Sequence, residues 1–351
     1  MLKRSITFII FTLVFAQILV ACGKSSTSTS TPSPASSSAA TSAASTAPTK
    51  APAAKEAVKI TQALDWFAQP THGGLYTAQA KGFYKESNLE VTIQPGGPQV
   101  SAVQIVASGK AQFGLESADA LLLAREQGIP VVGVAALLQS SPSALFFHKG
   151  DTIKSFADLN GRKVYASLSA NYWGYLKHTY KLDKVEELQF NGQYVNFVND
   201  KKAVTQGYTT NTPANLKAQN VDVESLLISE SGYKPYYSII FTTEKYLKEN
   251  PDIVKAYVQA AIKGWDFYKD NPTVGSEALK AINKDYTIEA LNEEAKLQLD
   301  FVYGGDAAAY GVGYMTLERW QTLSKQLQEI GQLKKNEDVS KAFTIEFLPK
   351  K

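Results

Sequence analysis

Cysteine is nearly absent from this 351-residue chain. Cys22 stands alone, so no intramolecular disulfide can form and no cysteine pair is there to hold zinc or an iron–sulfur cluster. Histidine is scarce as well: His72, His148 and His178 are far apart and lack local metal-ligand spacing. No HExxH, GxSxG, CxxC or GK[ST] phosphate loop occurs, and Gly304-Gly305 and Gly311-Val312-Gly313 lack the strand-to-helix setting of a dinucleotide fingerprint. Binding without chemistry, with no cofactor and no metal, is therefore the default expectation. An excess of one charge is missing too, since 36 basic residues face 33 acidic ones, which gives no basic footprint for nucleic acid. Long apolar runs are limited to one, Ile6 to Val20, and no later run is long enough to cross a bilayer.

That single run carries information. Lys3 and Arg4 precede it and Leu19-Val20-Ala21-Cys22 ends it, a pattern that resembles the bacterial lipobox and implies cleavage before Cys22 with a diacylglyceryl group on its thiol. Ile6 to Ala21 falls short of the roughly 20 apolar residues of a span, and Thr7, Thr12 and Gln17 dilute it. Residues 1–21 read as a lipoprotein signal peptide. Residues 22–57 are almost wholly Ser, Thr, Ala and Pro, so they have nothing to bury and read as a disordered tether. The expected product is an extracytoplasmic body beginning near Val58, lipid-anchored to the outer face of the cell membrane.

About 290 residues follow position 57, more than one small core usually holds, so two lobes are expected. Val58–Leu64, Glu90–Ile93, Gln112–Leu115 and Val131–Val134 read as strands, alternating with helices from Leu75, at Val100–Ser108 and at Ala118–Gln127. A second alternation runs through Arg162–Tyr165, Tyr172–Lys181, Ala203–Gln206, Thr212–Gln219 and Val223–Ile228. Such alternation indicates α/β lobes, each a mainly parallel sheet flanked by helices. From Thr243 the pattern turns helical, with Asn250-Pro251-Asp252 as a helix start and Gly331 as a C-terminal cap. The expected division is lobe I at 58–147, lobe II at 148–238, and a return to lobe I with C-terminal helices at 239–351. No internal repeat is present.

The candidate site opens at Asp65-Trp66, with Gln69, His72 and Tyr76 following, where the first strand gives way to the first helix. Ligands of open α/β sheets collect at such carboxyl ends of strands. Trp66 offers a stacking face while Asp65, Gln69 and His72 offer hydrogen-bonding groups, although core packing for Trp66 and a surface loop for His72 compete. Asp65-Trp66, His72 and Tyr76-Thr-Ala-Gln-Ala-Lys-Gly-Phe-Tyr-Lys85 resemble the opening signature of the thiamine-pyrimidine family of periplasmic-type binding proteins. Val106–Gly114, Ala124–Val131, Asp158–Val164 and Tyr246–Pro251 extend the resemblance over nearly all of residues 58–270.

The resemblance implies a two-lobed periplasmic-binding-protein type II fold with the ligand cleft between lobes, two crossovers forming a hinge, and a monomer that delivers its ligand to an ABC permease and its ATPase. It implies a nitrogen heterocycle, a thiamine pyrimidine precursor or a relative such as riboflavin. Glu116 is expected to accept hydrogen bonds from a ring amine or amide, with an exposed acid beside a Ser117 helix cap as the competing role. Asn171, Tyr172, Trp173, Gln206 and Tyr208 are expected to face the ligand from lobe II, with Trp173 also suited to the core. The family's fungal pyrimidine synthases supply the enzymatic alternative, but this chain has Glu116 and Ala120 where they carry lysine and histidine, and a Schiff base needs an amine. A receptor for a sulfonate- or nitrate-type anion, and a sensor or scavenger using the same cleft, remain further alternatives.

Overall fold

The computed structural model describes residues 56–97, 100–334 and 338–350. The expected signal peptide, Cys22 and all of the expected tether except Glu56 and Ala57 lie outside the described residues. Among the described residues, ten strands carry the fold: β1 Val58–Ala63, β2 Leu89–Gln94, β3 Phe113–Glu116, β4 Val131–Leu138, β5 Ser143–His148, β6 Lys163–Ala166, β7 Glu186–Gln189, β8 Val204–Tyr208, β9 Val223–Leu227 and β10 Tyr237–Thr243. The helices are α1 Gly73–Ala80, α2 Phe83–Glu86, α3 Ala102–Ala107, α4 Ala118–Glu126, α5 Asn171–Tyr180, α6 Val195–Asn199 and α7 Thr212–Lys217. After β10 come α8 Glu244–Glu249, α9 Pro251–Asp270, α10 Pro272–Ile282, α11 Ile288–Leu297, α12 Leu299–Tyr303, α13 Gly305–Tyr310 and α14 Leu317–Glu329.

The strands form two five-stranded sheets, ordered β2-β1-β3-β10-β4 and β7-β6-β8-β5-β9. In each, four strands run one way and a single strand, β10 or β5, runs antiparallel between two of them. Those two strands are the crossings, each entering one sheet straight after the chain has left the other. Each lobe is thus an α/β unit with a mixed sheet. The first crossing passes through Gln139–Pro142, so β5 belongs to lobe II and the boundary falls several residues before the expected 147. Ala144–Phe147 is buried throughout, and a fully buried run does not reveal which of two sheets it joins.

Lobe I has apolar layers on both sheet faces. One packs Leu75, Tyr257, Val258 and Trp265 of α1 and α9 beneath Ile60, Phe113 and Ile240; the other sets Val106, Leu121, Trp320 and Leu323 of α3, α4 and α14 against Ala136, Ile239 and Phe241. The first layer depends on a close helix crossing. A Cβ on Gly264 would lie 2.3 Å from the Gly74 carbonyl oxygen, and one on Gly74 would lie 2.3 Å from the Trp265 ring. Lobe II packs Leu145, Leu159, Val164, Trp173, Leu176 and Val204 together, with Phe197, Ala203 and Leu216 in a second cluster. Asn250 does precede α9, yet its side chain caps nothing there: Nδ2 donates to the Tyr246 carbonyl and closes α8 instead.

Candidate functional site

The carboxyl ends of β1 and β3 in lobe I face those of β6, β7 and β8 in lobe II across a cleft of about 620 Å³. That volume lies within the range of small-molecule sites. Trp66 and Gln69 enter from the loop after β1, and Ser117, Asp119 and Ala120 from the start of α4. The opposing wall is Asn171 and Tyr172 at the start of α5, Phe190 and Tyr194 after β7, and Gln206, Tyr208 and Asn211 around β8 and α7. The crossings close the back with Ser141, Ser143, Tyr233 and Tyr237. Among the described residues, Asp119 is the one charged side chain in this lining; everything else is aromatic, hydroxyl, amide or aliphatic.

Local geometry fixes these groups. Gln206 Oε1 accepts from the Tyr172 hydroxyl and the Ser167 N–H, both at 2.5 Å, which locks the amide and the phenol to one another. Tyr208 leaves the end of β8 because Thr212 caps it, Oγ1 accepting from the Tyr208 N–H at 2.9 Å; a Cβ on the preceding Gly207 would lie 2.3 Å from that oxygen. The Tyr208 and Tyr237 hydroxyls are 3.1 Å apart, joining lobe II to the second crossing. Asn171 Nδ2 donates to Asp119 Oδ2 at 2.9 Å, and Asn211 Nδ2 to Glu294 Oε2 of α11 at 3.3 Å, so two further contacts reach across the cleft. Burial pushes the Tyr172, Tyr208 and Tyr237 phenols up, keeping them neutral donors at physiological pH.

Six of the residues expected from sequence line the cleft: Trp66, Gln69, Asn171, Tyr172, Gln206 and Tyr208. Asp65, His72 and Glu116 stand behind that wall. His72 is fully buried, with Nε2 2.9 Å from Asp65 Oδ1, an arrangement that braces the loop carrying Trp66. Glu116 points its Oε1 at the Ser117 N–H at 3.0 Å. Burial first, then the neighbouring charges of Asp65 and Asp119, push its carboxyl up to about 8, so at neutral pH it is largely protonated rather than the anionic acceptor expected.

Tyr76 and Trp173 belong to the cores. Tyr76 is buried in the lobe I cluster. Trp173 is wholly inaccessible among Leu145, Val164 and Leu176, its indole N–H donating to Glu187 at 2.8 Å. Helix phase explains the swap at α5, since adjacent residues face different ways and only Tyr172 can reach the cleft if Trp173 fills the core.

Sequence reasoning missed Asp119, which lines the cleft from the first turn of α4. It also missed the aromatics Phe190, Tyr194, Tyr233 and Tyr237, which sit on a short strand's exit and on a crossing whose strand was not recognised. No group of three or more His, Cys, Asp or Glu side chains suited to a metal ion occurs among the described residues.

Comparison with known proteins agrees with this architecture. The riboflavin-binding protein RibY of Chloroflexus aurantiacus is 30% identical over 83% of this chain and 86% of its own. The 4-amino-5-hydroxymethyl-2-methylpyrimidine phosphate synthase of Candida albicans is 26% identical over 61% of this chain and 68% of its own. In structure, the periplasmic aliphatic sulphonate binding protein SsuA of Escherichia coli superposes with a TM-score of 0.63 at 13% identity, covering 82% of this chain and 92% of its own, which establishes the shared fold. The fold is that of the type II periplasmic binding proteins. The family described as NMT1/THI5 like matches residues 69–274, and the chain belongs to it.

Proposed function

We propose that this protein is the extracytoplasmic receptor of an ABC importer, anchored through a lipid on Cys22, and that it carries a neutral or weakly basic nitrogen heterocycle to its permease. The cleft lining carries the reading. A site with Trp66, Tyr172, Phe190, Tyr194 and Tyr208, several amides and hydroxyls, and one carboxylate without any lysine, arginine or histidine suits a flat, donor-bearing ring. Two named relatives, a riboflavin-binding protein and a pyrimidine phosphate synthase, handle such rings. Catalysis through a Schiff base has no support, because no lysine lines the cleft among the described residues, Ala120 stands in the wall and Glu116 lies behind it.

A second reading, a sulfonate or nitrate receptor, is favoured by one feature: the ten-residue α5 begins at the cleft, and N–H groups at a helix start bind anions. The test is native mass spectrometry of protein purified from its host, followed by a thermal-shift panel of pyrimidines, riboflavin and alkanesulfonates. A ligand at a hundred times its dissociation constant adds about 2.7 kcal/mol, a readily measured shift. Stabilisation by the heterocycles supports the first reading. Stabilisation by sulfonates alone replaces it with the second.

A further inference from the structure

Asp119 is bonded on one side only. Its residue is 8% exposed, and Oδ2 accepts from the Asn171 amide at 2.9 Å and the Tyr233 hydroxyl at 2.7 Å. Oδ1 is buried and has no hydrogen-bond partner among the described residues. A buried carboxylate oxygen without a hydrogen bond is among the costliest arrangements a fold can keep, and such orphans in native proteins call for an explanation. The surroundings supply one, because Asp119 is part of the cleft wall and, among the described residues, is its sole charged side chain.

We infer that Asp119 is the residue that reads the ligand, Oδ1 accepting a hydrogen bond from a ring N–H or exocyclic amine, and that it also reports the ligand to lobe II through Asn171. The inference rests on the heterocycle reading and deepens it. A charged acceptor demands a donor, so the ligand class narrows to rings bearing an imide, amide or amino hydrogen, and phosphomonoesters placed near this carboxylate are repelled. The two oxygens divide the work. Oδ2 holds the lobes in register while Oδ1 faces its demand for a proton donor, so filling the cleft with the right ring satisfies the carboxylate fully only when the lobes have met.

Replacing Asp119 by Asn inverts the polarity at this point. Asn171 and Tyr233 both donate, so they capture the new amide oxygen, and the NH2 group is left where Oδ1 stood, donor against donor. The test compares two probe pairs by calorimetry: riboflavin against N3-methylriboflavin, and 4-amino-5-hydroxymethyl-2-methylpyrimidine against its N,N-dimethylamino analogue. The unmodified protein should bind the N–H member of at least one pair about tenfold to a hundredfold more tightly. In Asp119→Asn that preference should fall to within about threefold, with the loss on the N–H member. If Asp119→Asn does not fold, Asp119→Glu keeps the charge, displaces the oxygens and should weaken the N–H member selectively. Equal binding of both members by the unmodified protein, or a preference that survives both substitutions, overturns this inference and leaves the heterocycle reading standing. Binding of neither pair overturns both.

Discussion

Two side chains at the site separate affinity from stability. Trp66 is 41% exposed at the cleft, with Phe67 edge-on at 5.6 Å, so its face is free to take a ring. Trp66→Ala should cost about 1 to 3 kcal/mol of heterocycle binding through lost burial and stacking, and little in folding, as calorimetry and a thermal melt would show. An alkanesulfonate ligand should barely notice the change. Glu116 makes the complementary case. Its carboxyl titrates near 8 in the folded protein against 4.5 as the ordinary value, so between those limits the folded state holds the extra proton. Stability from this group is fully present below about 4.5 and is lost as pH rises through about 8. Glu116→Gln should therefore flatten the decline in melting temperature between pH 5 and 9. The slope that remains belongs in part to Glu294, which burial raises to about 7 and whose contribution has the same sign. A decline as steep in Glu116→Gln as in the unmodified protein would show that Glu116 is not its source.

Elements show most clearly what a sequence reveals and what it hides. The strand and helix alternation from Val58 to Val134 was legible because short buried β-branched runs are punctuated by Gly and Pro, and β1 to β4 appear within two residues of the expected starts. The crossings were not. Ser143–His148 and Tyr237–Thr243 are strands whose partners lie about 60 or more residues away in the chain, and periodicity carries no record of pairing. The same limit applied to the site: Trp66 and Tyr172 stood out by type and position, whereas Asp119 gained meaning only when α5 brought Asn171 against it. Glycines repeat the lesson, since identical substitutions in two helices should have opposite signs. Gly264→Ala gains up to about 1 kcal/mol of helix propensity, but its Cβ would lie 2.3 Å from the Gly74 carbonyl and 2.6 Å from Ala78 Cβ. Prying α1 from α9 should cost about 1 to 3 kcal/mol and win. Gly174→Ala in α5 meets only Ile330 at 3.5 Å, an ordinary contact, so the propensity term should prevail and stabilise by about 0.5 to 1 kcal/mol. Urea denaturation of the two variants decides whether the sign follows the contact.

At the scale of the whole molecule, the two lobes share a root. Arg319 of α14 stacks over Tyr236 at 3.7 Å and donates to the Gln139 side chain at 3.2 Å, the Lys234 carbonyl at 3.1 Å and Asp306 at 3.0 Å. Gln139 lies in the first crossing, and Lys234 and Tyr236 in the second, so one guanidinium pins both hinge segments to lobe I. In the proposed receptor role, lobe closure would turn about this fixed base, and ligand binding should lower the radius of gyration measured by small-angle scattering. Arg319→Lys tests that base, because a compact ammonium cannot reproduce a planar fork that reaches acceptors in two separate crossings. The variant should lose about 1 to 3 kcal/mol of stability from carbonyls left unpartnered. With its crossings loosened, the ligand-free form should expand relative to the unmodified protein while the ligand-bound form stays the same size. Affinity should fall accordingly, since a broader open ensemble must be ordered on closing. Identical scattering of the two proteins without ligand would mean that the crossings are stiff in themselves and that Arg319 merely decorates them.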